Sequence, residues 1–183
     1  MSEGKLILGD AIEGMRACQA GIADLIIADP PYNIGYQYDV YNDRRPKEEY
    51  LDWSRRWIAA AARLLRQEGS LWIAMCDEYV AEIKLIAEQC GLKLRNWVIW
   101  YYTFGVNCTR KFNRSHTHFL HLVKDEQNHK FFPDQIRVPS ARQLVYADKR
   151  AYSAGKLPDN TWILRPHDAQ GCFRPEEDTW YFA

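Results

Sequence analysis

Leu25-Ile26-Ile27-Ala28-Asp29-Pro30-Pro31-Tyr32 sets four apolar, partly β-branched residues directly against an aspartate, two prolines and a tyrosine. A run so short and apolar reads as a buried central strand of a parallel sheet. Ligands of such sheets sit just beyond the carboxyl ends of the strands, so Asp29 is expected to project into a crevice. Consecutive prolines hold the chain extended and remove two backbone donors, which ends the strand and leaves carbonyls to accept from a ligand. Tyr32 adds a flat ring beside those acceptors. Read alone, Asp-Pro-Pro-Tyr is as well explained by a strand-ending turn with a solvated aspartate, so its weight comes from its surroundings.

Upstream, Lys5 to Leu8 reads as a short strand ending at Gly9-Asp10, and Ala11 to Ala20 as a brief helix, so two strands would end in an aspartate. Downstream, Asn33 to Arg45 is poor in aliphatic residues but carries Tyr36, Tyr38 and Tyr41, which predicts a long loop of a functional or mobile kind. Pro46 suits the first turn of a helix, and Leu51, Ser54, Ile58, Ala61 and Leu65 recur with helical spacing up to a stop at Gly69. Ser70 to Cys76 reads as a second buried strand. A helix from about Glu78 to Cys90 follows, with Gly91 as its cap. Leu94 to Tyr102 and Thr117 to Val123 read as two further strands forming a long antiparallel hairpin. This order is α/β.

With 183 residues, 47% hydrophobic and 26% charged, the chain suits one globular core. No apolar run approaches the roughly 20 residues of a membrane-spanning helix, and no signal-type block opens the chain. The five cysteines form no C-x-x-C pair, against a zinc ribbon or a disulfide framework and in favour of a reduced, cytoplasmic setting. His116, His118 and His121 could suggest a metal cluster. In a strand only the first two share a face and no carboxylate or cysteine completes a set, so ordinary polar roles are expected and no metal site.

The net charge of zero hides a segregation. Residues 1–106 carry 12 basic and 15 acidic side chains, residues 107–156 carry 10 and 4, and residues 157–183 carry 2 and 5. Neutralising phosphates requires clustered Lys and Arg, so Arg110, Lys111, Arg114, Arg137, Arg142, Lys149, Arg150 and Lys156 form a candidate nucleic-acid footprint, with Tyr36 as an aromatic contact. A solvated basic face explains the charge alone equally well. From Lys124 to about Pro166 periodicity fades while basic and aromatic residues mix, which suits a loop-built recognition region.

In order along the chain stand Leu8-Gly9-Asp10-Ala11, Asp29-Pro30-Pro31-Tyr32-Asn33, Arg63-Leu64-Leu65 with Gly69-Ser70-Leu71-Trp72-Ile73, Val98-Ile99-Trp100, Phe112-Asn113-Arg114-Ser115-His116, Val138-Pro139-Ser140-Ala141-Arg142 and Leu157-Pro158-Asp159-Asn160-Thr161-Trp162. In this order the chain resembles the β-group of amino-directed DNA methyltransferases, which methylate adenine or cytosine amino groups with S-adenosylmethionine. The resemblance implies an incomplete Rossmann-like methyltransferase sheet with helices on both faces, an antiparallel hairpin and a loop-rich basic recognition region. It implies a partial catalytic domain over 1–123, a DNA target-recognition region over 124–166 and a tail over 167–183. Asp29 and the Pro30 carbonyl would hold the two hydrogens of the target amine, Tyr32 would stack on the flipped base, and Asp10, Ala11 and Asp29 would border the cofactor. The spelling with aspartate leans towards adenine. Double-stranded DNA is the implied partner and a restriction-modification system the implied setting.

One part of the family pattern is missing. The family's glycine-rich cofactor turn of the Phe-x-Gly-x-Gly type has no counterpart, since the ten glycines include no Gly-x-Gly pair. The resemblance therefore implies an amino-terminal portion with an incomplete cofactor site and little activity alone. Its absent strands would belong between Lys5–Leu8 and Leu25–Ala28, leaving a hydrophobic edge open to self-association. The competing expectation is a non-catalytic DNA-binding or regulatory fragment.

Overall fold

The computed structural model describes residues 4–102, 108–163 and 181–182. Eleven segments follow the order α1 (Ala11–Ala17), β1 (Ala23–Ala28), α2 (Lys47–Leu64), β2 (Leu65–Met75), α3 (Val80–Gln89), β3 (Lys93–Tyr101), β4 (His116–Val123), a 3-10 turn (Pro133–Gln135), α4 (Ala141–Leu144), β5 (Thr161–Ile163) and β6 (Tyr181–Phe182). The strands lie in the sheet order β1-β2-β4-β3-β5-β6. The chain divides into two compact units, Met1–Asn96 with Leu120–Lys130, and Trp97–Phe119 with Phe131–Ala183.

The first unit is built on β1 and β2, which pair in parallel with Ile26 opposite Leu71, Ile27 opposite Trp72 and Ala28 opposite Ile73. Behind them Ile58, Leu65, Leu71, Ile73, Met75, Ile83 and Leu92 are wholly buried. Helix α2 packs on both α1 and α3. Of the predicted stripe, Ser54, Ile58 and Ala61 are buried on α2 and Leu51 is half-buried, but the helix stops at Leu64, Leu65 opens β2 and Gly69 lies within that strand. The pairing register jumps there, from Ala23 opposite Leu65 to Leu25 opposite Ser70. A Cβ on Gly69 would stand 2.9 Å from the Ala23 carbonyl oxygen, so this glycine is required by the close approach of β1 and does not stop a helix. Gly91, by contrast, does cap α3 with φ +85, its amide and that of Leu92 returning to Glu88 and Ala87 carbonyls.

Two expectations fail at the amino-terminal side. Lys5 to Leu8 forms no strand, and Leu6 and Leu8 are almost fully exposed. A strand exists only by pairing, and among the described residues no partner lies beside this segment. β1 is parallel as predicted but ends the sheet order, and it is not a buried central strand: Leu25 is 55% and Ile27 72% exposed. Ile26 and Ala28 are half-buried, so the continuous apolar run is partly covered on one face and exposed on the other.

The loop after β1 is closed at its base by side chains. Asp43, 2% exposed, accepts from the amides of Asn33, Ile34 and Tyr36 at 2.8, 3.1 and 2.9 Å. Asn33 sits at φ 58, a conformation asparagine tolerates, while its side chain accepts from the Arg45 amide at 2.7 Å and donates to the Arg45 carbonyl at 3.0 Å. The loop predicted from Asn33 to Arg45 is therefore tied at both of its ends.

In the second unit β5 continues beyond β3 in parallel, with Trp100 opposite Trp162, and β6 pairs antiparallel with β5. Trp162 is half-buried with its ring 5.9 Å from that of Phe119. The segment from Phe131 to Asn160 is mostly irregular, as predicted. Within it Ser140 and Gln143 form a reciprocal capping box on α4, and Val138 and Lys156 exchange backbone hydrogen bonds of 2.9 Å. Gly155, at φ +88, lies so close to the Val138 carbonyl that a Cβ would collide with it. The predicted tail over 167–183 and Cys172 lie outside the described residues, apart from the two of β6.

The histidines take polar roles. His118 Nδ1 accepts from the Trp97 indole at 2.9 Å. His121 stacks on Trp72 at 4.4 Å and meets Ser70 Oγ at 3.1 Å. Burial lowers the His121 pKa to about 4. The unfolded chain therefore takes up a proton between pH 6.5 and 4 that the folded one refuses, so stability falls as pH drops through that window. Urea unfolding should show this loss, and His121→Phe, which keeps the stack on Trp72, should flatten it; an unchanged slope would mean another group titrates. Asp43→Ala should speed amide exchange of Asn33, Ile34 and Tyr36 by about tenfold or more, since charge-assisted bonds hold all three. Unaltered protection would show that the loop holds itself closed without Asp43.

Candidate functional site

Beyond the carboxyl end of β1 the first unit opens into a cavity of about 380 Å³. Asp10, Ala11, Asp29 and Pro30, four of the residues singled out in the sequence, line it together. Asp10 is fixed there as the cap of α1, its Oδ1 accepting from the amides of Ile12 and Glu13 at 2.9 and 3.0 Å. Ile26, Ile27, Pro31, Trp53 and Trp57 complete walls that are mainly apolar and aromatic. A cavity of this size, with a few convergent polar groups on apolar walls, has the dimensions of a small-molecule site.

The turn itself is held from two sides. Tyr32 donates its hydroxyl to Asp29 Oδ1 at 2.7 Å, which ties the ring to the carboxylate. Tyr50, wholly buried on α2, donates to the Pro31 carbonyl at 2.8 Å, and burial raises its pKa so that the hydroxyl stays protonated and donating. Among the described residues nothing donates to the Pro30 carbonyl. Two prolines thus present one anchored carbonyl and one open carbonyl beside an exposed aspartate, which suits the gripping of a two-hydrogen donor.

Four supports escaped the sequence reading: Asp43, Tyr50, Trp53 and Trp57. The last three recur at i, i+3 and i+7 on α2, a second stripe beside the one that was read, and this spacing was the available signal. Their rings run on from the tyrosine loop, with Tyr41 to Trp53 at 6.2 Å, Tyr50 to Trp53 at 5.8 Å and Trp53 to Trp57 at 6.4 Å. The Arg45 guanidinium lies 4.6 Å over the Tyr41 ring. Tyr36 stands 64% exposed at the outer end, paired with Tyr38 at 4.8 Å.

The basic footprint is only partly gathered. In the second unit Arg137, Arg142, Arg150 and Lys156 line one cavity of about 740 Å³ with Tyr152, over whose ring Arg137 lies at 4.8 Å. Lys149 is exposed beside Arg150 but does not line it; Arg110 is exposed and Arg114 half-buried in the separate segment after residue 107. Two other cations of the same charge count serve the first unit instead. Lys124 donates to the Leu65 carbonyl at 2.5 Å, and Lys130 reaches Asp24 at 2.6 Å, where it and Arg66 hold that carboxyl below its usual range. No described helix is long and apolar enough to cross a membrane.

Comparison with known proteins places the chain in a family. Type II methyltransferase M.HpaI of Haemophilus parainfluenzae is 32% identical over 159 residues, 86% of this chain and 49% of that protein. DNA adenine methyltransferase YhdJ of Escherichia coli (strain K12) is 32% identical over 172 residues, 88% of this chain and 58% of that one. The chain thus spans about half the length of these curated relatives. The solved cytosine-N4-specific PvuII DNA methyltransferase superposes with a TM-score of 0.63 at 14% identity, covering 92% of this chain and 59% of that one. The M1.HpyAVI–SAM complex superposes at 0.52 with 19% identity, covering 85% and 64%. These two establish the fold as that of Rossmann-like methyltransferases. The family model described as DNA methylase matches residues 23–177, from the start of β1 through the basic cavity, and the chain belongs to that family of N6-adenine and N4-cytosine DNA methyltransferases.

Proposed function

We propose that this chain is the target-base portion of an S-adenosylmethionine-dependent DNA amino-methyltransferase, with adenine N6 as the favoured acceptor. The observation that carries the reading is the meeting of Asp10, Ala11, Asp29 and Pro30 on one cavity, with Tyr32 bonded to Asp29. The residues fit the cofactor: a sulfonium cation bearing an adenine ring suits walls of aromatic side chains and two carboxylates. When bound, S-adenosylmethionine supplies an electrophilic methyl group. Asp10 and Ala11, with Asp29 facing them, would hold it.

The protein's own part is positioning and electrostatics. A target amine inside a duplex is unreachable, so the base is flipped out, and stacking on Tyr32 offsets part of that cost, about 1–3 kcal/mol per stacked base. Asp29 and the open Pro30 carbonyl accept the two amine hydrogens, returning electron density to the nitrogen and aiming its lone pair at the methyl group. Tyr50, by occupying the Pro31 carbonyl, keeps the turn from rotating the wrong carbonyl inward. Residues 124–166, with the cavity between Arg137 and Lys156, form the DNA-recognition region, and Tyr36 and the segment with Arg110 and Arg114 add contacts. The name of YhdJ supports adenine over cytosine. A cytoplasmic restriction-modification setting fits the M.HpaI relative. The exposed edge at Leu25 and Ile27 is a surface for self-association.

Incubating the purified chain with DNA and methyl-labelled S-adenosylmethionine tests the reading. Weak incorporation that Asp29→Ala abolishes is expected. DNA binding with no incorporation above background would instead favour a non-catalytic DNA-binding fragment. Calorimetry should show weak cofactor binding by this chain alone, and tight binding would overturn the incompleteness of the site.

A further inference from the structure

Beside the basic cavity, bonded to two of the cations that line it, one acidic residue stands where simple electrostatics would not place it. Asp148 lies between the two most exposed cations, its own side chain only 17% exposed. Arg150 grips it in a fork, Nε to Oδ1 and Nη2 to Oδ2, both at 3.0 Å, and the Arg150 amide adds a third bond at 2.9 Å. Arg142, on α4, approaches the same Oδ2 at 3.9 Å, and the Asp148 amide donates to the Arg142 carbonyl at 3.0 Å. Arg150, with Arg142 secondarily, holds the carboxyl below its usual range. The turn that makes this possible passes through Ala147 at φ 46.

A carboxylate facing a polyanion costs affinity unless it does something else. Here it joins two guanidinium groups that are 65% and 83% exposed and would otherwise sample many rotamers. Each guanidinium has five donors, and the fork uses only two of those on Arg150, leaving others directed outward. Ser140 and Gln143 cap α4, so Arg142 projects from a fixed helix, and Gln143 also reaches the Tyr152 and Ser153 carbonyls at 3.0 and 3.1 Å. Arg142, Asp148 and Arg150 thus form a braced pair of cations.

We propose that Asp148 is a positioning residue for DNA, orienting Arg142 and Arg150 as a two-pronged contact to the phosphate backbone. The proposal rests on the DNA-binding reading of the basic cavity. Its sign separates it from charge alone. Removing a negative charge from a DNA-facing surface should tighten binding, whereas removing the brace should weaken it.

Binding of a fluorescein-labelled duplex oligonucleotide of arbitrary sequence to the full chain, over a range of potassium chloride, decides the matter. Asp148→Asn should weaken binding severalfold and make the salt dependence shallower by about one in log–log slope, as one phosphate contact is lost. Asp148→Glu, which keeps the charge on a longer arm, should recover part of the loss. In an Arg142→Ala, Arg150→Ala background Asp148→Asn should cost nothing further, because there is nothing left to position. Tighter or unchanged binding by Asp148→Asn in the wild-type background overturns the proposal, and so does an undiminished loss in the double-alanine background, which marks a folding role. If the wild-type chain does not bind the duplex, or the double-alanine variant binds as well as wild type, the DNA-binding reading of the cavity fails and the proposal falls with it.

Discussion

Parallel pairing of β1 with β2 is the constraint on which the site depends. A parallel ladder puts the carboxyl ends of both strands on the same side, so the residues that leave β1 enter a crevice. The register jump at Gly69 permits it, bringing the Ala23 and Asp24 carbonyls to where any larger residue would collide. From there every step is local. Ala28 ends the strand, Pro30 and Pro31 keep the chain extended, and Asp29 is delivered to the cavity with Asp10 across from it.

Rigidity at such a turn cannot come from the prolines alone. They fix φ but donate nothing, so the surroundings must supply the donors, and two buried polar side chains organise them. Tyr50 donates from beneath to the Pro31 carbonyl, and Asp43 gathers three amides of the loop that follows. Both are costly to bury and both are satisfied, the pattern expected where geometry is worth more than stability. A chain of ring contacts from Tyr36 through Tyr38, Tyr41 and Trp53 to Trp57 then joins the outer loop to the wall of the cavity.

The residues that line the cavity were legible in the sequence and their supports much less so. Asp29, Pro30 and Asp10 could be read because each sits at an element's end, where residue type reports a local role. Asp43 could not, because a carboxylate in a polar loop looks solvated until the fold brings three amides to it. Gly69 was misread as a helix stop, since a glycine after a periodic run gives the same pattern whether it ends a helix or admits a neighbouring strand. Lys5 to Leu8 carried a strand's composition without a partner, and pairing is not a property of one segment. The footprint leaves out Lys124 and Lys130, which serve the first unit, but clustering of charge along the chain could not separate Arg137, Arg142, Arg150 and Lys156, which line one cavity, from Arg110, Lys111, Arg114 and Lys149, which do not.

If the turn after β1 recognises an amino group on a planar base, it distinguishes a nucleoside that carries that group from one that lacks it. An NMR titration with adenosine and, separately, with purine riboside, the same ring without its exocyclic amine, addresses it most directly. Adenosine should shift the resonances of Asp29 and Tyr32, and purine riboside should leave Asp29 largely undisturbed. Equal shifts from both nucleosides, or shifts confined to residues outside this turn, would contradict it.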